Sequence, residues 1–197
     1  MPSILLLGGG GHASVLISEL TEQGKSIEGY VALEKNPDLV IPFFSSLDIC
    51  LHRGGDLEVV IAVGNLRLRH LLLIQVNEKN LPLTTVKSLS AAINQDSSIG
   101  VGAQILSNAV IENNVTIGSN SIINVAASVH HGSKIGSNTH VAPGARILGN
   151  VRIGDNVFIG SNAVISPGVN IGSNSKIGAC TFVSGDLLEN SIQKRGS

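Results

Sequence analysis

From Ile93 to Val183 the chain places a β-branched aliphatic residue at every sixth position: Ile93, Ile99, Ile105, Ile111, Ile117, Ile123, Val129, Ile135, Val141, Ile147, Ile153, Ile159, Ile165, Ile171, Ile177 and Val183. No insertion breaks the count. The residue two places before each, from Ala91 and Ser97 to Ser175 and Thr181, is always Ser, Thr, Ala or Val. The residue after it is often Gly, as at Gly100, Gly118, Gly136, Gly154, Gly160, Gly172 and Gly178. A fixed six-residue period predicts a stack of short strands and turns, three to each 18-residue coil of a parallel β-helix. The Ile or Val points inward and stacks on its equivalents in neighbouring coils. The small residue sits at the tight inner edge, and Gly or Asn is expected where the turn requires positive φ. The 91 residues of this stretch make about five coils.

The first 88 residues follow another pattern. Ile4–Leu7 is a continuous apolar run, the signature of a buried parallel strand. Gly8-Gly9-Gly10-Gly11-His12 follows it. Ala13–Gln23 carries Val15, Leu16, Ile17 and Leu20 at helical spacing and ends at Gly24. Ile27–Leu33 and Leu57–Val63 predict two further strands, Leu66–Glu78 a second helix and Leu81–Val86 a short fourth strand. Residues 34–56, with Pro37, Pro42 and Gly54-Gly55, read mostly as connection. Strand, glycine turn, helix and strand make a Rossmann-like βαβ unit. Its glycines and helix N-terminus can receive an anion. A full dinucleotide-binding domain is not expected, because Ala13 stands at the third glycine position and Ala32-Leu33 at the usual acidic one. The fold class is therefore α/β plus all-β. A Rossmann-like domain over 1–88 precedes a parallel β-helix over 89–197.

Composition narrows the function. A net charge of −1, with Lys and Arg scattered, argues against a nucleic-acid partner, and 3% aromatic residues leave little for base stacking. No apolar run reaches the length of a membrane span. Met1–Leu7 lacks the features of a signal peptide. Cys50 and Cys180 form neither a metal spacing nor a disulfide framework, so a reduced, cytoplasmic protein is expected.

Candidate chemistry gathers in the repeat. His130, His131 and His140 fall within eleven residues, none at an inward position. No carboxylate or Cys stands at matching spacing, so no metal site is expected. A histidine titrates near neutrality, which suits a general base for an attacking amine or hydroxyl. His12 reads either as a turn residue or as a ligand to a substrate phosphate or sugar at the helix N-terminus. Arg67 and Arg69 read as a solvated helix face.

Three stretches, GGGGHA at Gly8–Ala13, AVGNLRLR at Ala62–Arg69 and NVAASVHHGSKIGSNTHVAPGA at Asn124–Ala145, resemble the NeuD/PglD family of bacterial sugar acetyltransferases. The resemblance covers nearly the whole chain. It implies a left-handed β-helix, a homotrimer, acetyl-CoA as co-substrate and a sugar or nucleotide-sugar acceptor. By the same resemblance, His131 is the catalytic base and Asn124 lies near the reacting centre. His140 contacts acetyl-CoA, and Gly149, Ser161 and Ala179 line the CoA path. Gly10, Gly11 and His12 hold the substrate's phosphates or sugar, and Gly64 lines the nucleotide pocket.

The chain departs from the family in four places. Gly132 stands where many members carry an acid after the catalytic His, and Ala32-Leu33 where many carry an acidic pair. Ser88-Leu89 replaces a common His-Pro. Ser191–Ser197 replaces a Gly-x-Pro-Ala-Lys tail that helps cover CoA. N-acetylation of a nucleotide-linked amino sugar is the first expectation. O-acetylation of sialic acid or a related nonulosonic acid is the alternative, favoured by Gly132 and the lost acidic pair. A non-catalytic hexapeptide assembly protein and a β-helix metalloenzyme are the readings from other classes.

Overall fold

The structure is a computed structural model and describes residues 2–52 and 56–194. Gly54-Gly55 and the last three residues of the Ser191–Ser197 tail lie outside the described residues. The chain forms two compact units, 1–86 and 87–197.

The first unit holds β1 (Ser3–Leu7), α1 (Gly11–Glu22), β2 (Ile27–Val31), β3 (Phe43–Phe44), α2 (Leu47–Leu51), β4 (Leu57–Ile61) and α3 (Leu66–Glu78). Its strands are all parallel, in the order β3-β2-β1-β4. Leu5, Leu6 and Leu7 of β1 are fully or almost fully buried, as expected of a central parallel strand. Gly24 (φ 66°) closes α1: its N–H bonds to Thr21 O and that of Lys25 to Leu20 O, each at 2.9 Å.

Two expectations for this unit change. Residues 34–56 contain β3 and α2, elements of two and five residues that are too short to show a period. The anticipated strand Leu81–Val86 is reduced to an isolated bridge, Leu83 to Val59, and its last residue, Val86, belongs instead to the first strand of the β-helix. Pro82, which has no N–H to donate, interrupts the ladder there.

The second unit is a three-sided left-handed parallel β-helix. Its first face stacks β5 (Val86–Lys87), β8 (Gln104–Ile105), β11 (Ile122–Ile123), β14 (His140–Val141), β17 (Phe158–Ile159), β20 (Lys176–Ile177) and β22 (Ile192–Gln193). The second stacks β6 (Ala92–Ile93), β9 (Val110–Ile111), β12 (Ser128–Val129), β15 (Arg146–Ile147), β18 (Val164–Ile165) and β21 (Phe182–Val183). The third stacks β7 (Ser98–Ile99), β10 (Thr116–Ile117), β13 (Lys134–Ile135), β16 (Arg152–Ile153) and β19 (Asn170–Ile171). There are about six turns rather than five, because β5 and β22 lie outside the strict period. The final coil closes in 16 residues, pairing Lys176 with Ile192 and Ile171 with Leu187.

The inward Ile and Val residues form one apolar core with the small Ala and Val of the inner edge. The Ser and Thr at that inner edge are buried for a different reason. Thr139 Oγ1 donates to Gly154 O at 2.9 Å and accepts from Val157 N–H at 3.1 Å. Ser121 and Ser133 bridge successive coils in the same way.

The glycines after the inward residue do not supply positive φ. The left-handed position lies two residues later and holds Asn108, Asn114, Asn120, Asn138, Asn150, Asn156, Asn162 and Asn174, with Gly102, Gly132, Gly144 and Gly168. Gly100, Gly118, Gly136, Gly154 and Gly172 are required by close stacking of coils. A Cβ on Gly118 would lie 2.5 Å from the carbonyl carbon of Gly136.

All five of those glycines sit on the corner joining the third face to the first. That corner repeats Gly-Ser-Asn or Gly-Asp-Asn at 118–120, 136–138, 154–156 and 172–174. Its asparagines form a ladder: Asn120 Nδ2 donates to Asn138 Oδ1 at 3.0 Å, and Asn138 Nδ2 to Asn156 Oδ1 at 2.8 Å. Asn138→Ala is expected to cost about 2–3 kcal/mol, since it breaks both ladder bonds and leaves a β-carbon residue without a local hydrogen bond in the left-handed region. A urea-unfolding midpoint equal to that of the native chain would refute this.

Candidate active site

Apart from Gly160-Ser161-Asn162, the two remaining corners depart from the Gly-Ser-Asn rule. The corner between the second and third faces stacks residues 112–114, 130–132, 148–150 and 166–168. His131 is exposed there. Its imidazole lies over Gly149, one coil on. A Cβ on Gly149 would fall 2.5 Å from His131 Cε1 and 2.6 Å from Nε2. The absence of a side chain at Gly149 thus creates the seat of the ring.

Glu112, one coil earlier, holds the same turn from the other side. Its Oε2 accepts the backbone N–H of His131 at 2.9 Å, and its Oε1 lies 2.9 Å from His130 Nδ1. The other His130 nitrogen, Nε2, lies 3.2 Å from Ser128 Oγ. His130 is therefore engaged at both ring nitrogens, whereas no described residue engages either ring nitrogen of His131. The adjacent histidines differ in availability: only His131 offers a free imidazole. The His131 backbone N–H is the chief cause holding the Glu112 carboxyl below the usual carboxylate range, with His130 adding to it against a desolvation effect. Gly132, the next residue, takes the left-handed position of the turn (φ 69°), and Asn150 Oδ1 occupies the space a Cβ would need.

The corner between the first and second faces carries Asn124. Its Nδ2 lies 3.0 Å from His140 Nε2, and its Oδ1 accepts the N–H of Val125 at 2.8 Å. Although His140 occupies an outward position of β14, it is buried rather than solvated. Its ring meets Phe158 edge-on at 5.4 Å and 89°. Ala126, two residues beyond Asn124, adopts φ 55°, and Cys180 does the same on this corner. Among the described residues with positive φ these two are neither Gly nor Asn. Backbone cost of this kind is often stored beside functional groups. Pro143, Ser161 and Ala179 stack above Val125, linked by Gly144 N–H to Val125 O, Asn162 N–H to Pro143 O and Cys180 N–H to Ser161 O. Over these coils the corner is narrow, small and uncharged.

In the first unit, the chain crosses from one side of β1 to the other between β3 and β4. The carboxyl ends of β1 and β4 thus form a topological switch point, where open α/β sheets bind ligands. Gly10, Gly11 and His12 follow β1, and Gly64 follows β4. Gly8 (φ 127°) and Gly9 are packed: a Cβ would meet Ala62 O at 2.6 Å and Tyr30 Cε2 at 2.7 Å respectively. Gly10 and Gly11 face open space. Asn36 Nδ2 ties the loop down through Gly9 O at 2.7 Å. The N-terminus of α1 has no side-chain cap, whereas Asn65 Oδ1 caps α3 through Leu68 N–H at 3.0 Å.

Arg69 corrects the expectation of a solvated helix face. Arg67 is exposed, but Arg69 is fully buried. Its Nη1 donates to Ile61 O at 2.7 Å and Val63 O at 2.9 Å, bracing the loop that carries Gly64. Burial lowers its guanidinium to about 9, so it remains protonated at neutral pH.

Two family models match the repeat. A bacterial transferase hexapeptide (six repeats) covers residues 150–185, and a hexapeptide repeat of succinyl-transferase covers 108–145. Perosamine N-acetyltransferase from Caulobacter crescentus, a histidine-to-asparagine variant in complex with CoA and GDP-perosamine, is 28% identical. It superposes with a TM-score of 0.92 over 98% of this chain and 94% of its own. The chain carries a transferase-type hexapeptide repeat and is similar over nearly its whole length to this sugar N-acetyltransferase. Two more distant structures share the fold of this hexapeptide-repeat protein. The acetyltransferase domain of PglB from Neisseria gonorrhoeae, in complex with acetyl coenzyme A, is 24% identical with a TM-score of 0.88 over 94% of this chain and 92% of its own. WeeI from Acinetobacter baumannii is 24% identical with a TM-score of 0.90 over 98% and 96%. No curated protein sequence matches the chain.

The hexapeptide-repeat protein brings some candidate residues together and keeps others apart. Asn124 and His140 touch, His131 rests on Gly149, and Ser161 and Ala179 share one stack. Asn124 and His131 lie on different corners. Glu112 escaped sequence reasoning, although its register, 18 residues before His130, could have revealed it. Among the described residues no group of three His, Cys, Asp or Glu could hold a metal ion, and no helix is long and apolar enough to cross a membrane.

Proposed function

We propose that this chain transfers the acetyl group of acetyl-CoA to the amino group of a nucleotide-linked sugar. The similarity to perosamine N-acetyltransferase over 98% of the chain carries this reading. The free imidazole of His131 supports it. The 1–88 domain takes the nucleotide-sugar, with its phosphates at Gly10, Gly11, His12 and the uncapped end of α1, and Gly64 beside the nucleotide. The 89–197 domain performs the transfer. The small uncharged corner of Pro143, Ser161 and Ala179 suits the slender amide chain of CoA, and His140 and Gly149 complete that path.

His131 takes a proton from the sugar amine as its nitrogen attacks the thioester carbonyl. Asn124 orients groups near the reacting centre. The tetrahedral adduct collapses to the amide, and the leaving thiolate recovers a proton from the imidazolium. The chain contributes proton transfer and proximity. Because Asn124 and His131 occupy different corners, a homotrimer that sets one copy's first corner against the next copy's second completes the site. The proposed location is the cytoplasm.

The test is release of CoA thiol from acetyl-CoA with a panel of UDP-, GDP- and dTDP-amino sugars and free and CMP-linked sialic acids. Release with one amino sugar supports N-acetylation. Release with sialic acid alone replaces it by O-acetylation. A folded protein that releases none would leave an assembly role.

A further inference from the structure

We propose that Glu112 is the acidic positioning residue of the site, holding the His131 turn and supplying the negative charge that favours its imidazolium. The inference rests on His131 being the base of the function proposed above. One carboxylate grips the turn at two points, the His131 backbone N–H and the His130 ring, each at 2.9 Å. Gly149 seats the imidazole from the opposite side. The base is thus held between a carboxylate one coil before it and a bare backbone one coil after.

Glu112 stands out among the groups around this turn. The residues stacked with His131 in its column are Asn113, Gly149 and Pro167, none of which titrates. On the same turn, His130 is bound by Glu112 and Ser128. The adjoining strands contribute Lys134, Arg146 and Arg152, all exposed and all cationic. Among these named residues Glu112 is the carboxylate. Gly132 cannot take over the role: its left-handed backbone and the Asn150 amide leave no room for a side chain without displacement. Holding His130 on its carboxylate, Glu112 also keeps that ring from competing for the substrate proton.

Glu112→Gln separates charge from anchoring, because the amide oxygen can still accept the His131 N–H. Glu112→Ala removes both. In the full-length protein, the Cε1–H resonance of His131, assigned with His131→Ala, is followed by NMR from pH 5 to 9. In Glu112→Gln its titration midpoint is expected to move to lower pH. The acid limb of the kcat/KM profile should move the same way, kcat should fall about tenfold and KM for acetyl-CoA should change less than twofold. Glu112→Ala should lose more kcat than Glu112→Gln. In the His131→Ala background, neither change should reduce the residual rate further. An unmoved His131 titration would overturn the proposal. So would equal losses in both variants that track a lowered unfolding midpoint, which would mark a structural role alone. The NMR reading needs no acceptor sugar. If no acetyl transfer is found in the native chain, the charge relation between Glu112 and His131 still stands or falls by itself.

Discussion

His131→Ala is expected to lower acetyl transfer by about 10²- to 10⁴-fold, the range a positioned general base contributes. The fold should persist, because His131 is exposed and its structural hydrogen bond runs through its backbone N–H, which alanine retains. KM for acetyl-CoA should change little, since the lost interaction belongs to the transition state. His130→Ala should cost far less, because that ring is already engaged by Glu112 and Ser128. The check is CoA thiol release at saturating acceptor for both variants, beside their unfolding midpoints. A His131→Ala protein retaining more than a tenth of the native rate would remove His131 from the mechanism.

Gly149→Ala has the second-largest expected effect, and its cause is steric. The new methyl would stand 2.5 Å from Cε1 of His131 and 2.6 Å from Nε2, well inside van der Waals contact. The imidazole must leave its seat. Displacement of about 1 Å costs roughly 10²-fold in a reaction that depends on alignment, so kcat should fall by about that factor. Substrate binding away from the ring should be preserved. Gly185→Ala is the control, since a Cβ there meets nothing within 4 Å. Steady-state kinetics on the two variants decide the matter. A Gly149→Ala rate within threefold of native would show that the ring position does not limit the reaction.

Much of the architecture was legible along the chain. The strict Ile/Val period predicted a three-sided coil because every inward position faces the same apolar axis and a one-residue slip would expose it. The second helix matched its expected span, Leu66–Glu78, because Asn65 caps its start. The glycine turn and its helix emerged where the apolar run ended. Residues outside any period were harder to read. β3, α2 and the bridge at Leu83 are too short or too interrupted to announce themselves.

The site was legible in part. The spacing of Asn124, His131 and His140 put the three candidates on neighbouring coils, and the asparagine pattern anticipated positive φ. The glycines after the inward residue serve close stacking of coils rather than turn conformation. Their role is set by the backbone 18 residues on, at a distance no local window senses. Arg69 looked like one more charge on a polar helix until the carbonyls of Ile61 and Val63 showed why it is buried. A repeating sequence specifies its own stacking, because each coil needs only the next one to bury its core. It does not specify which side chains meet across coils. That Glu112 reaches His130 and His131, that Gly149 leaves room for one imidazole, and that His130 is engaged while His131 is free all depend on residues brought into register by the completed coil.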